Sequence, residues 1–253
     1  MILDNFKLDG KVAVVTGAGR GLGQGAAWGF AEAGADVALV DIVSTDDTAA
    51  RVRALGRRAA QVHADLMDRA AIQPVVEQVV RELGGIDILL NNAGIIRRAP
   101  FLEFAEKDWD EVIQLNESTV FFLSQAIARQ MVAQGRGGKI VNIASMLSFQ
   151  GGIRVPSYTA SKSAVMGLTR LMANELAPHH INVNAVAPGY MATDNTAPLR
   201  ADPARNAEIL GRLPAGRWGL PEDLQGALVF LASRASDYVT GHTLAVDGGW
   251  LCR

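Results

Sequence analysis

One stretch of this chain narrows its fold more than any other. Lys11-Val-Ala-Val-Val-Thr16 is a short β-branched apolar run, and the glycine-dense segment Gly17-Ala-Gly-Arg-Gly-Leu-Gly-Gln-Gly25 follows it. A helical stretch then runs from Ala26 to Ala33 and stops at Gly34. Strand, glycine turn and helix in that order open a βαβ unit, which commits a chain to a parallel sheet with helices on its faces. Glycines let the backbone approach a pyrophosphate, and the positive end of a helix favours that charge. The spacing here is Thr16-Gly17-x-x-x-Gly21-x-Gly23, and taken alone it leaves a plain turn as the lesser alternative.

Asp36-Val-Ala-Leu-Val-Asp41 reads as the second strand. Asp41 lies 18 residues past Gly23, near the offset at which a carboxylate grips the adenosine ribose. No Arg or Lys stands in Asp41-Ile-Val-Ser-Thr45 to meet a 2′-phosphate, so the pattern points to NAD over NADP. As a cap for the next helix Asp41 is redundant beside Ser44 and Thr45. Further strand-like runs fall at 59–63, 86–90, 139–144, 181–187 and 243–246. Helical patterns fall between them at 46–55, 68–83, 106–130, 157–176 and 221–233. The alternation predicts an α/β chain: a Rossmann-type doubly wound parallel sheet of about seven strands flanked by helices, in a single domain over 1–253. The stretch from Pro188-Gly189 to Pro203 reads as a loop past the carboxyl end of a strand, with 205–213 as a short lid helix.

A net charge of −2 leaves no basic footprint for nucleic acid or an anionic membrane. No apolar run approaches the roughly 18 residues of a spanning helix, and the first residues lack a signal peptide's apolar core. The single cysteine, Cys252, excludes an internal disulfide and fits a reducing cytoplasm. His63, His179, His180 and His242 show no metal-ligand spacing, so no metal is expected.

The chemistry concentrates between Ser145 and Lys162. Ser145 closes an apolar strand, a loop through Gly151-Gly152 and Val155-Pro156 follows, and Ser157 reads as the N-cap of the next helix. Tyr158 and Lys162 are four apart, so on that helix they share a face. A phenol acting as a base near neutral pH needs its pKa of about 10 lowered by roughly 2–3 units, about 3–4 kcal/mol. A neighbouring ammonium supplies part of that, and Ser145 is placed to hydrogen-bond the reacting oxygen. The bland alternative is a surface helix with an incidental Tyr-x-x-x-Lys. Asn116 interrupts the apolar face of the 106–130 helix, where it bridges helices or holds a water.

Thr16-Gly17-x-x-x-Gly21-x-Gly23, Asn91-Asn-Ala-Gly94, Asn116, Ser145, Tyr158-x-x-x-Lys162 and Pro188-Gly189 occur in one order. Over essentially the whole chain this resembles the short-chain dehydrogenase/reductase family. The resemblance implies a tetrad of Asn116, Ser145, Tyr158 and Lys162, with Asn116 holding a water that relays protons from Lys162. It implies NAD contacts from Gly17, Gly19, Arg20, Gly21, Leu22, Gly23, Asp41 and Ile42, with Asp65, Leu66 and Asn91 on the adenosine side. It extends them through Asn92, Ala93, Gly94, Tyr158, Lys162, Pro188, Gly189, Met191 and Thr193, the last on the nicotinamide carboxamide. A homotetramer is implied too. The segments 95–98, 145–158, 188–193, 214–221 and 247–251 resemble, more narrowly, family members acting on a small-molecule sugar acid in uronate breakdown. The reaction implied is reversible oxidation of one secondary alcohol. An anionic substrate calls for an arginine, and Arg154 or Arg97 is the candidate, a surface role being as open for either; Ser145 and Tyr158 would hold the alcohol. Two rivals stand: another reductase of the family, such as a gluconate 5-dehydrogenase or a 3-oxoacyl-carrier reductase, and a non-catalytic NAD-sensing protein.

Overall fold

The computed structural model describes all 253 residues. Seven parallel strands alternate with helices, as the apolar runs predict. In chain order they are β1 (Val12–Thr16), α1 (Gly21–Glu32), β2 (Asp36–Asp41), α2 (Asp46–Ala54), β3 (Ala59–His63), α3 (Ile72–Leu83) and β4 (Ile88–Asn91). Then come α4 (Glu106–Ile113), α5 (Thr119–Gln134), β5 (Gly138–Ile143), α6 (Pro156–Leu176) and β6 (Ile181–Pro188). α7 (Ala197–Ala201), α8 (Pro203–Arg212), α9 (Glu222–Ala232) and β7 (Thr243–Val246) complete the chain. The sheet order is β3-β2-β1-β4-β5-β6-β7, so the winding direction reverses between β1 and β4. At such a switch point the loops after the strands part and leave a crevice.

The central strands β1, β2 and β4 are buried on both faces because helices cover both. Ala13, Val15, Val37, Leu39, Ile88 and Leu90 pack beneath α1 and α9, while Val12, Val14, Ala38, Val40 and Leu89 pack against α3 and α5. The two layers are equal, with 23 buried residues each, so neither face is left open. α9 lies tight on α1 because α1 offers glycines: a Cβ on Gly25 would sit 2.6 Å from Pro221, and one on Gly29 2.9 Å from Gln225. No helix is long and apolar enough to cross a membrane.

Several local expectations need correction. α1 begins at Gly21, not Ala26, so its first turn lies inside the glycine segment. Pro74 is tolerated because it occupies the first turn of α3, where backbone N–H groups have no helical partner. Ser157 is not a cap: Val155 holds that position with Pro156 at the first turn, and Ser157 is buried one residue inside. Only Ser44 of the pair before α2 caps by side chain, accepting from the Asp46 amide at 3.1 Å. The helix expected over 106–130 is three pieces, with a π-helical turn at Gln114–Ser118 between α4 and α5. The loop expected up to Pro203 contains α7, and α8 follows directly.

Candidate active site

The crevice at the carboxyl ends of β1, β2 and β4 is a cleft of about 400 Å³. Its floor is made of backbone. Gly17 turns with φ of 66°, a left-handed conformation that suits glycine, and a Cβ on Gly23 would lie 2.0 Å from the Gly17 carbonyl oxygen. The Asn92 side-chain amide donates to the Thr16 carbonyl at 2.8 Å, and the Thr16 hydroxyl accepts from the Asn92 and Ala93 amides at 3.0 Å. Those bonds lock the turn after β1 to the loop after β4. Asp41 is oriented by three amides: Gly19 donates to Oδ2 at 2.8 Å, and Ile42 and Val43 donate to Oδ1 at 2.7 and 3.1 Å.

The residues present fit a dinucleotide. A helix N-terminus, glycines whose missing Cβ atoms leave the approach clear, and a fixed carboxylate at the next strand end lie along one wall. Gly17, Arg20, Gly21, Leu22, Asp41, Ile42, Asp65, Leu66, Asn92, Ala93, Gly94, Tyr158, Lys162 and Thr193 line the cleft. Gly19, Gly23, Pro188, Gly189 and Met191 are not among the residues that line it. Asn91 is a correction: its side chain points into the layer beneath the sheet, donating to Ser124 Oγ at 2.9 Å and Asn142 Oδ1 at 2.8 Å.

Tyr158 and Lys162 share a face of α6, with Lys162 Nζ 5.6 Å from the Tyr158 ring centre. Lys162 is buried and donates to the Ile143 carbonyl at 2.6 Å. Burial pushes its pKa down to about 8. The phenol behaves otherwise than expected. Loss of water raises its pKa, and the Ser145 hydroxyl and then the Arg98 guanidinium pull it back. Asn116 sits fully buried in the π-turn, where the extra residue swings its amide out of the helix toward the loop after β4. Its Nδ2 donates to the Ile95 carbonyl and its Oδ1 accepts from the Ile95 amide, both at 2.9 Å. These bonds tie the π-turn to the loop after β4, and a longer one, from Asn116 Nδ2 to Ser161 Oγ at 3.4 Å, reaches α6.

The two expected arginines stand differently. Arg97 lines the cleft but is paired with Glu111 at 2.7 Å and Asp108 at 3.6 Å. Arg154 is exposed, has φ of 64°, and is not on the cleft wall. Arg98, which the sequence does not single out, is also exposed and off the cleft wall; it donates once to the carbonyl of the cleft-lining Asn195 at 3.1 Å, and its positive charge favours the Tyr158 phenolate. Its only signal in the sequence is adjacency to Arg97.

Comparison with known proteins matches this geometry to a family. The family model described as short chain dehydrogenase covers residues 11–204. The chain belongs to the short-chain dehydrogenase family. It is therefore an oxidoreductase, and two relatives run the full length of both chains: the 2-dehydro-3-deoxy-D-gluconate 5-dehydrogenases of Escherichia coli, 65% identical, and Dickeya dadantii, 64% identical. A solved structure of a candidate 2-deoxy-D-gluconate 3-dehydrogenase from Agrobacterium tumefaciens, with bound NADP, is 54% identical. It covers 98% of this chain, with 99% of its own chain matched, and superposes with a TM-score of 0.93. This short-chain dehydrogenase thus carries the family's nicotinamide dinucleotide site in the cleft described above.

Proposed function

We propose that this dehydrogenase interconverts 2-dehydro-3-deoxy-D-gluconate and 3-deoxy-D-glycero-2,5-hexodiulosonate in the breakdown of pectin-type uronates. The observation that carries the reading is the placing of Lys162 Nζ 5.6 Å from the Tyr158 ring centre, both on the wall of a cleft that fits a dinucleotide. The full-length relatives of that name support the choice of sugar acid. Bound NAD would supply the acceptor for the hydride from C5, and NADH the donor in reduction. Gly17, Gly21, Asp41 and Asn92 would hold it. Tyr158, as phenolate, takes the C5 hydroxyl proton and gives it back in the reverse direction. Ser145 hydrogen-bonds the same oxygen. Lys162 holds positive charge beneath the site, and Asn116 fixes the Ile95 backbone along the path by which protons leave. Arg98 takes the substrate carboxylate, because Arg97 already has two carboxylate partners and Arg98, unlike Arg154, bonds the carbonyl of the cleft-lining Asn195 and favours the Tyr158 phenolate with its charge.

NAD is preferred over NADP on the strength of Asp41, whose charge opposes a 2′-phosphate; the NADP in the Agrobacterium relative makes this a question of rates with each cofactor. The chain works as one domain over 1–253, in the cytoplasm, as a homotetramer, which sedimentation at working concentration tests. The decisive assay follows NADH absorbance over a panel of keto- and hydroxy-sugar acids. The named pair should give the highest kcat/KM; D-gluconate or an acyl-carrier thioester outranking it would replace this reading, and no turnover of any substrate would favour a nucleotide sensor.

A further inference from the structure

The far end of the sheet carries a second concavity, which the reaction does not use. It is a basin of about 840 Å³ at the amino ends of the central strands. The five residues of β1 put it roughly 17 Å from Gly17, at about 3.3 Å per residue. Five of its side chains are cationic (Lys7, Lys11, Arg136, Lys139 and Arg234), and two are carboxylates, Asp87 and Asp237. Lys7 is paired with Asp4 at 2.6 Å, just outside the lining, which leaves an excess of two positive charges in a concavity of a chain that is negative by two overall.

The hydrogen bonds show which of these charges are committed. Lys139 is closed: its Nζ donates to Asp237 at 2.8 Å and to Asn182 at 2.9 Å. Asp87, buried, accepts from Arg136 Nε at 2.8 Å and Nη2 at 3.2 Å, and from the Val12 amide at 3.0 Å. That leaves Lys11 3.8 Å from Asp87, Arg136 with Nη1 unspent, and Arg234 with one long bond of 3.4 Å to Asn5. Ammonium and guanidinium donors converge there on a basin whose low-dielectric walls focus their field.

We propose that this basin binds a multivalent oxyanion, the phosphoryl or polycarboxylate group of a metabolite, between Lys11, Arg136 and Arg234. The site is separate from the cleft and independent of the reaction assigned to it. The test is titration calorimetry on the full chain with NADH saturating, so that the glycine cradle is closed to phosphate. The probes are pyrophosphate and citrate, against chloride at equal ionic strength. Saturable binding of either probe is expected, the better one assigning phosphoryl or carboxylate chemistry. The variant Lys11→Gln/Arg234→Gln, altered only at solvent-reached side chains, should bind at least about tenfold more weakly, since each charge-assisted hydrogen bond contributes roughly that factor or more. Its melting temperature, NADH affinity and turnover should match wild type. Absence of saturable binding, or equal affinity in the variant, overturns the proposal.

Discussion

The two sides of the cleft are built by different means. The cofactor side, from β1 to β3, is backbone: glycines, amide-held Asp41 and the Thr16–Asn92 lock, resting on the two main core layers. The substrate side is side-chain pairing over a small separate core of Met146, Ile209, Leu213 and Trp250. There Tyr190 is clamped edge-on between Trp218 and Trp250, at 5.4 and 4.7 Å between ring centres. Three arginines pin the turn above it: Arg20 to Asp194, Arg98 to the Asn195 carbonyl and Arg200 to the Thr193 carbonyl. Backbone cradles tolerate no added atom, whereas exposed pairs are individually weak and exchange readily. On the proposed function, the backbone side meets the constant ligand and the side built of exposed pairs meets the substrate.

Tyr158 stands where the sides meet, and its loss should have the largest effect. Tyr158→Phe should lower kcat by ~10²–10⁴-fold and leave NADH affinity unchanged in a fluorescence titration; more than about a tenth of wild-type turnover would remove Tyr158 from the chemistry. Next comes Lys162. Its folded pKa of about 8 lies below the ordinary lysine value, so the folded state releases its proton first. Between pH 8 and about 10.5 the unfolded chain holds more protons, and stability from this group rises with pH, on the order of 3 kcal/mol in all. Melting curves of Lys162→Met should lack that rise; a parallel pH dependence in both proteins would deny the burial penalty.

Two smaller effects separate the sides. Arg98→Met should raise KM for the sugar acid by about 1.5–3 kcal/mol in binding terms, change kcat less, and spare an amide analogue of the substrate. Arg154→Met should leave KM alone. Gly23→Ala drives a Cβ into the Gly17 carbonyl, and the forced shift, about 1–3 kcal/mol, should appear in NADH affinity while substrate discrimination between acid and amide stays as in wild type.

This division also explains what could be read from the chain. Gly17, Gly23 and Asp41 are legible because a backbone cradle demands particular residue types at fixed spacing. The sheet is legible because strands covered on both faces are continuous apolar runs. Asn116 was visible as a polar break in an apolar face, but not the π-turn that aims it at Ile95, since one extra residue in a helical turn leaves the periodicity nearly unchanged. Arg98 was passed over for Arg97 and Arg154 because the choice depends on Glu111 and Asp108 neutralising Arg97, a contact between α4 and the preceding loop that no local pattern encodes. Asn91 and Asn92 are adjacent and chemically identical; only the strand's alternation sends one into the core and the other to the cleft.

The central claim is that the two sides act independently and meet only at the reacting atoms. Asp41→Ala alone should narrow the preference for NAD over NADP with little effect on the sugar-acid KM. The direct test is a double-mutant cycle of Asp41→Ala and Arg98→Met on kcat/KM, with NAD as cofactor. Independent sides predict losses that add to within about 0.5 kcal/mol. A coupling larger than about 1 kcal/mol would mean that cofactor and substrate sides move as one, and would contradict the account.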